Sequence, residues 1–474
     1  MIDTPPLPLS LGPAEIDQAG HLLTQLLQRH EAQLEALPVF PALDREALAA
    51  LRDQPFPAEG IGVERLFEEI AGTVIPNSTA IAHPRFLAYV QGPPNGIAPF
   101  AEAIAAALNQ NCNFWQLSPA ASVIERKVVA WLAGLFGFGS EAGGLVTSGG
   151  SMATLMALSA ALHAKSPHDL RQRGLHRQGQ ALTLYVSEEA HRCVEKAAAV
   201  LGVGLDQVRR IPVDAAFRLR MDALRSAVAA DRAAGHRPVC VVGTAGTVNT
   251  GAIDPLDELA DFCGAQDLWL HIDGAFGALF VQSPRQKPAM QACARADSLA
   301  LDPHKLLFAP LEAGCLVVRD PATLRRAFSF NASYLGAEDD PLFTNYMEQG
   351  LQLSRGFKAF KLWCALRAFG TQAFAQAADR MLELAQYMAA RIDGDPRFER
   401  LAPVTLSAVC FRLAGADDAA NEAALKALVA SGEALLGPVR LRGRLGLRAC
   451  FTNFRTRRSD VDQVLEALVR WRRP

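Results

Sequence analysis

From about Val123 to Asp320, short apolar runs alternate with stretches of helical periodicity. The runs at 182–186, 239–242, 268–272, 298–301 and 315–318 are almost continuously apolar, as in strands buried on both faces. Helix candidates at 189–201 and 255–263 lie between them, the second with Pro255 near its first turn. Such alternation predicts an α/β fold with a mostly parallel sheet between helices. Ahead of it, residues 16–34 read as an amphipathic helix, and the sequence PPNGIA at 93–98 punctuates the chain. Beyond Arg355 a long helix is expected through Trp363 to about Ile392. A strand at 404–413, a helix at 421–430, strand material at 440–451 and a helix from Ser459 to Trp471 follow, forming a small α+β unit. The pattern divides the chain into an N-terminal helical segment (1–95), a large domain (96–355) and a small C-terminal α+β domain (356–474).

Composition narrows the classes of function. The chain has 474 residues, 50% hydrophobic and 20% charged, so disorder and collagen-like repeats are excluded. Its 47 basic and 49 acidic residues leave a net charge of −2, which speaks against a global grip on nucleic acid or on an anionic membrane. The opening MIDTPPLPLSLGPAEIDQAG lacks a basic region followed by an apolar core, so no secretory signal is expected. The uncharged stretch 145–164 carries Ser148, Ser151, two glycines and His163 and makes a poor membrane span. Nine cysteines stand singly with no C-x-x-C pair, which favours reduced thiols and a cytoplasmic location.

Four short segments can carry chemistry. Thr147-Ser148-Gly149-Gly150-Ser151 separates an apolar run from a helix-forming run, where backbone amides can approach an anion such as a phosphate. It is neither a Walker A loop nor a G-x-G-x-x-G fingerprint, and on its own a tight turn is the simpler explanation. His271-Ile272-Asp273-Gly274-Ala275 ends an apolar strand, and its carboxylate would face the crevice of an open sheet, unless it merely opens a turn. Asp302-Pro303-His304-Lys305 places a lysine just after a buried strand, where it either snorkels to solvent or is set up to form a Schiff base. Ser187-Glu188-Glu189-Ala190-His191 puts a histidine at another strand-to-helix junction, to face a ring or to cap the turn. Together they supply a phosphate loop, a partner for a pyridinium, a Schiff-base lysine and a ring-stacking group, the parts that hold pyridoxal phosphate.

These segments, with HPRFLAYV (83–90), SPAASVIE (118–125), GTVNTGAID (246–254), ADSLALDPHK (296–305) and SRGFKAFKLW (354–363), resemble the group II pyridoxal-phosphate-dependent amino-acid decarboxylases, which include aromatic-L-amino-acid and glutamate decarboxylases. The pieces occur in the family order from about residue 60 to 370. The resemblance implies the type I fold of pyridoxal-phosphate-dependent transferases, with a large cofactor-binding domain, a small C-terminal domain and an N-terminal segment packed on a dimer partner. It implies that Lys305 forms the Schiff base, Asp273 meets the pyridine nitrogen, His191 stacks on one ring face and Ala275 packs on the other. Gly150, Ser151 and Ser298 would hold the phosphate, Thr247 would neighbour the ring hydroxyl, and His304 would shape the same pocket. Arg355 matches an arginine that can meet a substrate carboxylate. Asn331 to Gly336 resemble a mobile catalytic loop in which Tyr334 is the proton donor.

With Tyr334 and His191 both present, the resemblance favours simple decarboxylation to the amine and CO₂ over aldehyde synthesis. Tyr89 stands where aromatic-selective members carry a pocket residue, and Phe114 and Trp115 come from a segment that in this family reaches the partner's site. An aromatic or bulky apolar L-amino acid is therefore the expected substrate of a homodimer. Glutamate, aspartate or cysteine sulfinate would need a further cation, for which Arg85 is the candidate. An inactive cofactor-binding scaffold is the non-enzymatic reading, and the intact set of Lys305, Asp273, His191 and Tyr334 argues against it. Asp302 departs from the asparagine many members carry and would repel a phosphate unless turned away or paired. Gly274 and Phe276 also differ from the commonest pattern.

Overall fold

The computed structural model describes residues 9–177, 179–330 and 342–471. Its main sheet contains β1 (Gly143–Thr147), β2 (Leu182–Ser187), β3 (Val208–Ile211), β4 (Arg237–Thr244), β5 (Trp269–Asp273), β6 (Ser298–Leu301) and β7 (Gly314–Val318), in the order β1-β7-β6-β5-β4-β2-β3. Neighbours from β6 to β3 pair in parallel, and β7 is antiparallel to both β6 and β1. Six strands thus share one sense and β7 alone runs against them. Periodicity missed β1, where two glycines dilute the apolar signal, and β3, an edge strand whose two arginines interrupt it.

Helices cover both faces. Pro119–Phe136 and Leu256–Gln266 join the apolar cluster on one side, and Gly150–Lys165 and Cys193–Val200 join the cluster on the other. Gly150–Lys165 is apolar around most of its circumference because it sits wedged between sheet and outer helices. Along β5, Leu270 and Ile272 enter one cluster while Trp269 enters the other, so His271 and Asp273 share the face of Trp269.

The helix Lys358–Asp393 bends at Gly370, where φ is 70°, and leads to a second sheet. That sheet is antiparallel, ordered β10-β11-β9-β8, from β8 (Phe398–Arg400), β9 (Ala408–Leu413), β10 (Gly437–Leu441) and β11 (Arg444–Cys450). Arg442 and Gly443 both take positive φ, as the two-residue hairpin joining β10 to β11 requires. Residues 83–95 run along the seam between the sheets: Leu87 O accepts from Cys450 N at 2.8 Å, and Thr452 Oγ1 donates to Gln91 O at 2.9 Å. The helices Pro13–Gln33, Arg45–Asp53 and Val63–Glu69 bury no side chain within this one chain. Among the described residues no helix is long and apolar enough to cross a membrane.

Candidate active site

Because six strands share a sense, the carboxyl ends of β1, β2, β4, β5 and β6 open along one edge of the sheet, where ligands of open α/β sheets bind. A cavity of about 310 Å³ lies there, near the lower end of the ~300–1,000 Å³ usual for small-molecule sites. It is bordered by Gly150, Ser151, His191, Asp273, Ala275, Asp302, His304 and Lys305, with Val90, Val248 and Phe276 as apolar wall.

Each polar group has a structural reason to be there. Past β1 the chain turns through Ser148 and Gly149 into the helix that starts at Gly150, leaving first-turn amides with no helical acceptor. A Cβ on Gly150 would lie 2.8 Å from Cβ of Ala275, so only glycine keeps this corner of the cavity open. Asp273 ends β5 and is 5% exposed; its Oδ1 accepts from the Ala275 amide at 3.1 Å. Its Oδ2 lies 3.7 Å from Sγ of Cys193. Burial, then the nearby Asp273 charge, pushes that thiol's pKa up, so the thiol stays protonated and donates to the carboxylate. His191 follows β2 and accepts on Nδ1 from the Cys193 amide at 3.2 Å, which leaves the proton on Nε2. Lys305 Nζ is 2.8 Å from Asp302 Oδ2, and Asp302 Oδ1 accepts from the Gly150 amide at 2.6 Å. Burial lowers the pKa of His304, whose Nδ1 accepts from the Ala313 amide at 3.3 Å.

Several sequence expectations need correcting. Ser298 does not border the cavity: its Oγ accepts from Trp269 Nε1 and lies 2.9 Å from His271 Nδ1, inside the layer between sheet and helix. Burial depresses the pKa of His271 to about 4, and its Nε2 meets Thr154 Oγ1 at 3.3 Å. Thr247 is also turned away, its Oγ1 accepting from the Ala252 amide at 3.1 Å and meeting Thr250 Oγ1 at 3.0 Å. Thr244, which pairs with Asp273 across β4 and β5, borders the cavity instead. Arg355 is 5% exposed and lies behind β1, ion-paired with Glu125 and donating to the carbonyls of Cys112 and Val146, both at 2.8 Å. It does not line the cavity, and in this chain its guanidinium is engaged by Glu125 and the two carbonyls.

The other substrate candidates stand apart from the cavity. Tyr89 has φ 59° and is 65% exposed, while its neighbour Val90 forms wall. Phe114 is half-buried, and Trp115 packs 6.1 Å from the Phe343 ring with its amide donating to Asn345 Oδ1. Arg85 is held by Glu433 O and Gln463 Oε1 on the small domain. Tyr334 lies outside the described residues. Sequence reasoning missed one cation. Arg448, on β11, is 6% exposed, and its Nε and Nη2 are buried without a hydrogen-bond partner among the described residues. It lies opposite Cys410, whose Sγ contacts Asn249 O at 3.1 Å, and the nearby Cys450 thiol feels both Arg448 and Lys305. An arginine alternating with apolar residues in a strand was the available signal.

Comparison with known proteins identifies relatives of the whole chain. Residues 46–414 match the family model described as the pyridoxal-dependent decarboxylase conserved domain. An aromatic-L-amino-acid decarboxylase of Bacillus atrophaeus is 34% identical over 466 residues, covering 96% of this chain and 95% of the relative. An L-2,4-diaminobutyrate decarboxylase of Rhizobium meliloti (strain 1021) is 32% identical over 421 residues, covering 87% and 83%. The crystal structure of Oryza sativa TDC with PLP and tryptamine superposes with a TM-score of 0.90 at 26% identity, covering 98% of this chain and 100% of that one.

The fold and the strand-end cavity thus define a pyridoxal-phosphate enzyme of the α/β class. The chain belongs to the pyridoxal-dependent decarboxylase family and is a pyridoxal-phosphate-dependent amino-acid decarboxylase. Its residues fit the coenzyme: a glycine corner that a Cβ would fill, a buried carboxylate at a strand end, and a lysine amine in the same cavity.

Proposed function

We propose that the cavity is the active site of a homodimeric decarboxylase acting on an aromatic or bulky apolar L-amino acid. The observation that carries this reading is the meeting of Lys305, Asp273, His191 and the Gly150–Ser151 turn around one cavity. Its apolar wall of Val90, Val248 and Phe276 and the resemblance to aromatic-L-amino-acid decarboxylase support the substrate class. Pyridoxal phosphate, when bound, supplies the electron sink for loss of the carboxylate as CO₂. Lys305 would hold it covalently, the Gly150 and Ser151 amides would bind its phosphate, and Asp273 would keep a proton on its pyridine nitrogen. His191 and Ala275 would bracket the ring, with His304 shaping the phosphate side. Tyr334 would return a proton to Cα, so Tyr334→Phe keeps CO₂ release but diverts product from the amine.

Exposed apolar residues support the dimer. Phe100, Ile104 and Leu108 recur every fourth position on the helix Ala98–Leu108 and are 51%, 50% and 52% exposed, a stripe that suits burial against a second copy. Sedimentation at twice the chain mass is expected, and a monomer at micromolar concentration would remove this part of the proposal. Nine free thiols support a reducing, cytoplasmic setting.

Arg448 favours a second reading, an acidic substrate. Its Nε and Nη2 have no hydrogen-bond partner among the described residues, and buried cationic donors of this kind seek an anion, although the side chain does not itself border the cavity. A salt bridge to the carboxylate being lost would stabilise the ground state and slow the reaction, so this cation suits a second acidic group. Measuring CO₂ release from every proteinogenic L-amino acid and from cysteine sulfinate, with product mass analysis, decides between them. Amines from aromatic substrates support the first reading; turnover confined to acidic substrates replaces it with the second.

A further inference from the structure

Asp302 holds the groups around which the cavity is organised. It is 3% exposed, with Oδ1 2.6 Å from the Gly150 amide, Oδ2 2.8 Å from Lys305 Nζ and Oδ2 3.6 Å from His304 Nε2. The Nδ1 of His304 accepts from the Ala313 amide, which puts the ring proton on Nε2, toward the carboxylate. Glycine at 150 admits the carboxylate: a Cβ there would lie 3.2 and 3.5 Å from its two oxygens. The Gly150 amide opens a 16-residue helix, where the backbone favours negative charge. An amide, a ring N–H and an ammonium are also the donors that a phosphate ester with an adjoining aldehyde would use. In the chain alone, one side-chain carboxylate satisfies the amide and the ammonium and faces the ring N–H.

We propose that Asp302 is a built-in competitor for the coenzyme's phosphate, holding the Gly150 amide and the Lys305 amine until an anion displaces it. The proposal rests on the reading of this cavity as the coenzyme site. Two consequences follow from one carboxylate serving both donors. A phosphate arriving at Gly150 meets a like charge that must move, so inorganic phosphate alone binds weakly. Moving that carboxylate also loosens its ion pair and frees the amine, so a ligand bearing phosphate and aldehyde together gains at both places. Asparagine at this position would still accept from Gly150 through its carbonyl, with no charge to oppose the phosphate or to hold the ammonium.

The test is a binding experiment on the full chain freed of coenzyme. Wild type, Asp302→Asn and Asp302→Ser are titrated with pyridoxal phosphate and with pyridoxal, following the long-wavelength Schiff-base absorbance, and inorganic phosphate is titrated as competitor. Circular dichroism checks that each variant is folded, and either one suffices. In the variants, inorganic phosphate should bind at least about tenfold more tightly, and the gain for pyridoxal phosphate should exceed the gain for pyridoxal by about the same factor. Unchanged or weaker phosphate binding, or equal gains for the two aldehydes, overturns the proposal. If wild type develops no Schiff-base band with pyridoxal phosphate, or Lys305→Ala develops the same band as wild type, the reading of the cavity itself fails and the proposal falls with it.

Discussion

Replacing Arg355 with methionine strips the Glu125 carboxylate of its cation at a place where the Glu125 side chain is 1% exposed. Among the described residues its remaining donor is the Val146 amide at 2.9 Å. The carbonyls of Cys112 and Val146 each lose an arginine donor at 2.8 Å, and the Tyr346 ring loses a guanidinium 4.9 Å from its centre. Removing one partner of a buried pair costs about 3–5 kcal/mol. The carbonyl and ring contacts belong to the same guanidinium and are not added separately. We expect Arg355→Met to lose about 4 kcal/mol in urea unfolding. Adding Glu125→Gln, which removes the stranded charge, should restore about 2 kcal/mol of it. The substrate KM of the folded fraction should change less than about threefold, because the guanidinium does not reach the cavity. A variant as stable as wild type whose KM rises tenfold would refute this account and return Arg355 to the substrate.

Three further outcomes test other parts of the structure. Gly150→Ala should leave the chain folded but weaken pyridoxal phosphate binding by at least about tenfold, since its Cβ would lie 2.8 Å from Ala275 Cβ; unchanged binding measured by absorbance titration would contradict the assigned corner. His271, held near pKa 4, stays neutral in the fold while its unfolded form takes up a proton near pH 6.5. Its contribution is therefore present above pH 6.5 and is lost as pH falls toward 4, a change of roughly 3 kcal/mol. Asp254, raised to about 6 by burial, works in the opposite direction over much of this range. Hence His271→Gln should flatten the acid-side loss in urea unfolding, and an unaltered pH profile would count against the assignment. Arg448→Met should raise KM for an acidic substrate by about a hundredfold if the second reading holds, and should leave an aromatic substrate within about threefold if the first one does, as steady-state kinetics would report.

The strand-end positions were legible because their chemistry sits in short blocks just after apolar runs. Asp273 and Lys305 each follow such a run, and the shared strand sense brings them to one edge. Ser298 misled for a geometric reason: it begins β6, while Asp302 and Lys305 follow its end. Four residues of strand span about 10 Å, enough to separate the two ends of β6 chemically. Thr247 was illegible because the turn it belongs to uses its hydroxyl locally. The fate of Arg355 depends on Glu125, 230 positions earlier, a pairing no local pattern reveals. Strands β1 and β3 escaped because glycine and edge arginines erase periodicity, although tertiary pairing fixes both.

The reversed strand β7 determines when β1 can join the sheet during synthesis. Gly314, its first residue, faces Thr147 at the end of β1, and a Cβ on it would lie 2.4 Å from Gly149 Cα. Strand β1 joins the sheet only through β7, although β1 is made first and β7 last of the seven. A nascent chain that has already emerged with its glycine turn, its histidine and Asp273 still lacks the strand that pairs with β1. Docking of β1 is therefore a long-range closure, paid for in chain entropy before any contact rewards it. Chains ending before Gly314 would lack the strand through which β1 joins the sheet.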